Sequence, residues 1–193
     1  MNAITQMITQ QLGGSAARTI AQRFGISETT ANTAIQIAVP LLVTALARKA
    51  SQPEEAQSLH QAIANEHDGS IFNNLTGYLG NPQSANGAGI LGHVFGSQQP
   101  AIQNNLAQAT GMDQSSAGGL LETLAPLVMG SLGQTQQQNG LDASGLSNFL
   151  NVQEQQAQET APDTMSVLSS MLDQNKDGSS IDDLQRLAAR FFK

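Results

Sequence analysis

Apolar residues recur three and four apart along nearly the whole chain, and no stretch alternates apolar with polar side chains long enough to make a strand. Ile4, Met7, Ile8 and Leu12 set up a first helix, which Gly13 and Gly14 are expected to end. Ser15 then caps a second helix through Ala17, Ile20, Ala21 and Phe24, stopping at Gly25. Ser27 and Thr30 supply N-cap oxygens for a third, through Ala34, Ile35 and Ala38. Pro40 lacks an N–H, so it either kinks this helix or opens a new one. Pro53 followed by Glu54 and Glu55 reads as another helix start, with Leu59 and Ile63 as its buried side. His67-Asp-Gly-Ser70 is a tight turn that opens a helix, and Gly, Asn and Pro make the stretch before Ile90 the clearest linker. Beyond it, Ile102, Leu106 and Ala109 mark a helix, Gln134 to Gly140 a polar loop, and Leu141, Leu146, Phe149 and Leu150 a further helix. Gln153 to Thr160 reads as polar and exposed. Val167, Leu168, Met171 and Leu172 form the last buried face before an amphipathic helix from Leu184 to Phe192.

One pattern occurs twice. Gly25-Ile-Ser-Glu-Thr-Thr-Ala31 leads through Ile35 to Pro40-Leu41-Leu42-Val43 and Leu46; Gly111-Met-Asp-Gln-Ser-Ser-Ala117 leads through Leu121 to Pro126-Leu127-Val128-Met129 and Leu132. The offset is constant and needs no gap. The turn recurs as well, His67-Asp-Gly-Ser70 matching Lys176-Asp-Gly-Ser179. The expected fold is therefore all-α, with no sheet, built as two pseudo-repeats of a small helical bundle. Residues 1–80 form the first repeat, 81–89 the linker, and 90–193 the second repeat with an Asp-rich loop and a terminal helix.

Composition narrows the chemistry. The 193 residues are ample for a real core. Only 12% are charged, about half the usual share, so Gln, Asn, Ser and Thr must cover much of the surface. The formal charge of −7 opposes duplex DNA and makes a cation the more natural partner. With no cysteine, disulfides, thiolate catalysis and Cys-ligated zinc are excluded. Residues 1–20 lack a basic start followed by an apolar run, and the apolar stretch from Ala34 to Ala47 is short and interrupted. A cytoplasmic protein without a membrane span is the expectation.

The duplicated Gly-Ile-Ser helices, the Ile90-Leu-Gly-His-Val-Phe-Gly96 run and the Asp-Gly-Ser-x-x-Asp-Asp-Leu ending together resemble the bacterial YidB-like family, a domain of unknown function. The resemblance covers nearly the whole chain. It implies an all-helical, homeodomain-like arrangement, and it carries no assigned activity and no functional residues.

The sharpest chemical signal is Asp173-Gln-Asn175-Lys-Asp177-Gly178-Ser179-Ser-Ile-Asp182-Asp183. Calcium takes six to eight oxygens, and loops of the form D-x-[DN]-x-[DN]-G present carboxylates at alternate positions while the glycine turns the chain. Asp173, Asn175 and Asp177 fit the first three ligand places, Ser179 offers its carbonyl, and Asp182 or Asp183 would have to complete the shell, because Leu184 stands where an EF-hand has its closing Glu. The bland alternative is a solvated turn in which Asp177 and Ser179 cap the final helix.

A second signal is the helix-turn-helix look of Ile20-Ala-Gln-Arg-Phe-Gly25-Ile-Ser-Glu-Thr-Thr-Ala31. Reading DNA needs cations around the second helix, yet none lies between Ser27 and Leu46; the nearest are Arg18, Arg23, Arg48 and Lys49. A packing corner is the better account. His60 and His67 are seven apart with Glu66 nearby, but the pair lacks a third well-placed ligand, and His93 sits at a helix boundary. Ser144-Gly145 is no nucleophile elbow, and Gly87, Gly89 and Gly92 precede no Gly-Lys-Ser/Thr. The sequence thus points to a non-catalytic helical interaction or scaffold protein with a protein partner, self-association included, and a candidate structural calcium site at residues 173–183. The alternative is a DNA-associated regulator using residues 18–31.

Overall fold

The computed structural model describes residues 3–160, and among them every regular element is helical. In chain order these are α1 (Ala3–Phe24), α2 (Glu28–Ala50), α3 (Pro53–Glu66), a 3₁₀ turn (Ser70–Asn74), α4 (Leu75–Gly80), a 3₁₀ turn (Pro82–Ala85), α5 (Gly87–Phe95), a 3₁₀ turn (Gly96–Gln98), α6 (Gln99–Thr110), α7 (Gln114–Asn139) and α8 (Ala143–Thr160).

The starts of α2 and α7 are built alike. Gly25 and Gly111 both take left-handed backbone, with φ of 63° and 71°. That conformation lets Ile26 N–H reach back to Ala21 O at 3.0 Å and Met112 N–H to Ala107 O at 3.1 Å, closing the preceding helix. Ser27 Oγ then accepts from Thr30 N–H at 3.0 Å, and Asp113 Oδ1 from Ser116 N–H at 2.9 Å. Each bond satisfies one of the donors that a helix leaves unpaired at its first turn. Asp113 is held well below the usual carboxylate range, first by the Ser116 hydroxyl and then by the Ser116 N–H.

These two helices form the centre of the molecule. Every residue from Leu41 to Ala47 in α2 and from Thr123 to Gly133 in α7 is buried. A helix apolar all round must be packed on all sides. Accordingly α7 contacts α1, α2, α3, α5 and α6, while α2 contacts α1, α3, α6 and α8. The buried side chains form one cluster to which all eight α-helices among the described residues contribute, Tyr78 and Leu79 of α4 included. The hydroxyls of α7 are absorbed by its own backbone: Thr123 Oγ1 donates to Gly119 O, Ser131 Oγ to Leu127 O and Thr135 Oγ1 to Ser131 O. By length and composition α2 is long and apolar enough to cross a membrane, but here its apolar side chains belong to the core.

Several boundaries differ from the sequence expectation. Gly13 and Gly14 do not end a helix, since α1 runs unbroken from Ala3 to Phe24. A helical glycine costs about 1 kcal/mol relative to alanine, which packing of α1 on α2 and α7 overrides. Pro40 does not begin a new helix, and both it and Pro126 lie inside continuous helices. Gln134 to Asn139 is helix rather than loop: Thr135 is buried, Asn139 Nδ2 donates to Thr135 O at 2.9 Å, and Gly140 closes the helix at φ 60°. Gln153 to Thr160 is the last part of α8, with Gln153 and Ala157 buried. Within 81–89 lie a 3₁₀ turn and the start of α5, with Pro82 and Gly87 buried. The expected helix starts at Ser27 and Pro53, and the buried positions Leu59, Ile63, Ile102, Leu106, Leu146 and Leu150, are found as read.

Packing this tight leaves no room for a methyl group at two places, one on α7 and one on α5 where it meets α7. A Cβ on Gly133 would run into the His67 carbonyl, and one on Gly87 into the Glu122 carbonyl. Gly133→Ala should lower stability in urea melts by about 1–3 kcal/mol, the usual range for overpacking. Gly92→Ala, on α5 with nothing within 4 Å of the added carbon, should raise it by about 0.5–1 kcal/mol. Similar effects at both sites would contradict the close approach of the 67–69 turn to α7.

Candidate functional site

Among the described residues, a half-open cleft of about 600 Å³ lies on one side of α7. Pro126 and Gly130 form its floor, the turn from Glu66 to Ser70 one wall, and the 74–86 segment the other. The turn is held locally. Gly69 is left-handed at φ 91°, Asp68 Oδ1 accepts from Ser70 N–H at 2.9 Å, and Gln137 Nε2 donates to Asp68 O at 3.2 Å. Hydrogen bonds from the Ser70 hydroxyl and N–H hold the Asp68 carboxyl below its ordinary range. Burial pushes His67 down, against the pull of Glu66 and Asp68. The wall therefore presents a neutral imidazole between two carboxylates.

On the other side, Asn74 caps α4 by accepting from Gly77 N–H at 3.1 Å. Tyr78 is buried, and its hydroxyl donates to Thr123 O at 2.6 Å. The carbonyl it reaches lies beside the one that Pro126 deprives of a helical partner, since a proline at position i cannot donate to residue i−4, here Glu122. Gly87 packs on that Glu122 carbonyl.

Asn86 is the junction of the site. It is the one non-glycine residue with positive φ among those described, at 52°. It lines the main cleft, a compartment of about 190 Å³ walled by Leu59, Ala62, Ile90 and Met129, and a third cavity of about 330 Å³ that also holds Arg23 and Glu122. Glu66 and His67 are shared between the first two, so the polar cleft and the apolar compartment adjoin.

The residues singled out in the sequence are scattered. Asp173, Asn175, Asp177, Ser179, Asp182 and Asp183 lie outside the described residues. His60 does not join His67: its Nε2 bonds Leu141 O at 3.1 Å, tying α3 to the start of α8. His93 Nε2 lies 3.3 Å and Lys49 Nζ 3.6 Å from Glu55 Oε2. Ser144 donates to Asp142, which also accepts from Gly145 N–H, an N-cap arrangement. Gly87 is a packing glycine. Among the described residues no three His, Asp or Glu side chains gather as a metal-binding group. In the helix-turn-helix-like corner, Arg18 pairs with Glu28 of α2 at 2.9 Å, both side chains more than half exposed. The sequence reading missed Tyr78 and Asn86. For Asn86 a signal existed, because Asn-Gly is a strong turn pair and Asn tolerates left-handed backbone.

A model of bacterial proteins of unknown function matches residues 6–135. The chain belongs to this DUF937 family. The match takes in the floor and both walls of the cleft and stops within α7. Neither curated proteins nor solved structures gave a match to this DUF937 chain.

Tyr78 is the single tyrosine of the chain, so its ionisation can be followed alone. Burial raises its pKa far above the ordinary value, outweighing the opposing influence of Arg23. For an acid raised on folding, stability is fully present below the unfolded pKa, about 10 for tyrosine, and is lost as pH rises above it. The phenolate absorbance should therefore appear only together with alkaline unfolding. Titration near the ordinary value with the helical circular dichroism intact would show that Tyr78 is not held as described.

Proposed function

We propose that the protein is a non-catalytic helical interaction or scaffold protein whose cleft beside α7 is a binding surface. The observation that carries this is the origin of the ionisable groups in the cleft. Glu66, His67 and Asp68 are consecutive on one turn, while the facing wall contributes amides, hydroxyls and a tyrosine bonded to backbone. Acid–base and nucleophilic catalysis need groups converging on a reacting atom from separate directions. Asp68 is moreover occupied in holding its own turn.

The matched starts of α2 and α7 favour two related halves, each with a homeodomain-like helical corner, sharing one core. A cytoplasmic location fits a chain whose most apolar helix is spent on that core. The DNA-binding alternative is less well supported: Arg18 is paired, and beyond its first turns α2 is largely buried. In-cell chemical cross-linking of the tagged full chain should yield a protein adduct of fixed stoichiometry, with cross-links mapping to the described helices. Absence of any adduct, together with turnover in a hydrolase and transferase substrate panel, would overturn the reading.

A structural calcium ion at Asp173, Asn175, Asp177, Ser179, Asp182 and Asp183 is a separate element, supported by the oxygen-ligand spacing. A ligand that binds only the folded state stabilises it by about 2.7 kcal/mol at a hundredfold excess over its Kd. Thermal melts should therefore rise in millimolar calcium relative to chelator, and the rise should vanish in Asp173→Ala/Asp177→Ala. Superimposed wild-type melts would leave the loop a helix cap.

A further inference from the structure

We infer that the compartments meeting at Asn86 hold a short extended peptide carrying an apolar side chain beside a basic one, an inference that rests on the binding role proposed above. Three observations converge on this ligand. The first is shape: the main cleft, at about 600 Å³, has the size of a small-ligand site, and it adjoins an apolar compartment of about 190 Å³ that suits one aliphatic side chain.

The second is charge. Among the described residues, the main cleft has carboxylates at Glu66 and Asp68 and neither Lys nor Arg in its lining. A phosphate or carboxylate ligand would meet repulsion there, whereas an ammonium or guanidinium group would be drawn to that edge. Burial keeps His67 from cancelling the two carboxylates.

The third is the kind of polar group on offer. Asn81 and Asn86 each present an amide, a donor and an acceptor held side by side, which is what a peptide unit requires of its partner. Asn86 is exposed and held in left-handed backbone at the place where the polar and apolar compartments meet. An oligosaccharide is less well served. Sugars favour an open aromatic face, and Tyr78, the aromatic residue of the cleft, is buried with its hydroxyl on Thr123 O.

The test is a nuclear magnetic resonance titration of the isotope-labelled full chain. The probes are blocked Ala/Ser hexapeptides with one Leu and one Lys at adjacent or alternate positions, the same peptides with Glu for Lys, maltotriose, and inorganic phosphate. At least one Leu/Lys peptide should saturate and shift the backbone amides of Gly69, Ser70 and Asn86. Its Leu/Glu counterpart should bind about tenfold more weakly or not at all. Asn86→Gly, which keeps the left-handed backbone but removes the amide, should weaken the Leu/Lys peptide about fivefold, and Glu66→Gln should act in the same direction. Unchanged peak dispersion in each variant establishes that it is folded. The inference is overturned if no Leu/Lys peptide shifts those amides, if Lys and Glu peptides bind alike, if Asn86→Gly binds as wild type does, or if maltotriose or phosphate takes the site instead. A cross-linked protein partner whose adducts map away from residues 66–86 would remove this inference while leaving the scaffold reading intact.

Discussion

The structure depends on burying α7 from every direction along Thr123 to Gly133. A surface helix satisfies one apolar stripe, but a helix surrounded on all sides needs neighbours that approach its backbone closely at several azimuths. Side-chain volume limits that approach, so α7 carries glycine where it is closest. Gly133 admits the His67 carbonyl and Gly130 admits Ile71, while on the neighbouring element Gly87 yields to the Glu122 carbonyl. At Gly133 and Gly87, near contact between backbones replaces apolar interdigitation. The turn at residues 66–70 and the start of α5 can therefore lie against α7 and leave a cleft between them. The cleft is a by-product of how the central helix is packed, not an addition to it.

Pro126 shows how the constraint reaches the site. Its missing N–H leaves the Glu122 carbonyl without its helical donor. The neighbouring segment packs at this point: Gly87 lies against the Glu122 carbonyl, and the Tyr78 hydroxyl bonds the adjacent Thr123 carbonyl. Both come from the segment that forms the far side of the cleft. That segment therefore docks beside the proline of the core helix.

Legibility in the sequence followed the range of the interactions involved. Helix starts that rest on local chemistry, a side chain accepting from a nearby N–H at Ser27 and the fixed φ of a first-position proline at Pro53, could be read directly, as could the apolar faces holding Leu59, Ile63, Leu146 and Leu150. Helix ends were misread where a local signal was outweighed by packing: glycine at 13 and 14 inside α1, and the polar run from Gln134 that continues α7 because Thr135 is buried and internally bonded. The cleft was illegible for a stronger reason. Its walls come from residues 66–86 and its floor from Pro126 and Gly130, a juxtaposition that no local pattern encodes. Tyr78 reads as an ordinary aromatic until its partner, forty-five positions away at Thr123, is known.

The same arrangement decides the charge that the cleft presents. His67 is pushed down by burial, so it stays neutral to a lower pH than a solvated histidine would. Asp68 is pulled down by the Ser70 hydrogen bonds, so it stays ionised further into acid than a free aspartate. The two displacements run in the same direction but have opposite origins: desolvation disfavours the cation, and hydrogen bonding favours the anion. Their joint effect is to widen the pH interval in which this edge carries net negative charge. Had the turn been solvated, a protonated His67 would offset one carboxylate in mildly acidic conditions. Gly133 lets the backbone of the turn at His67 approach α7 closely, so the packing of the central helix positions the turn that carries this charge.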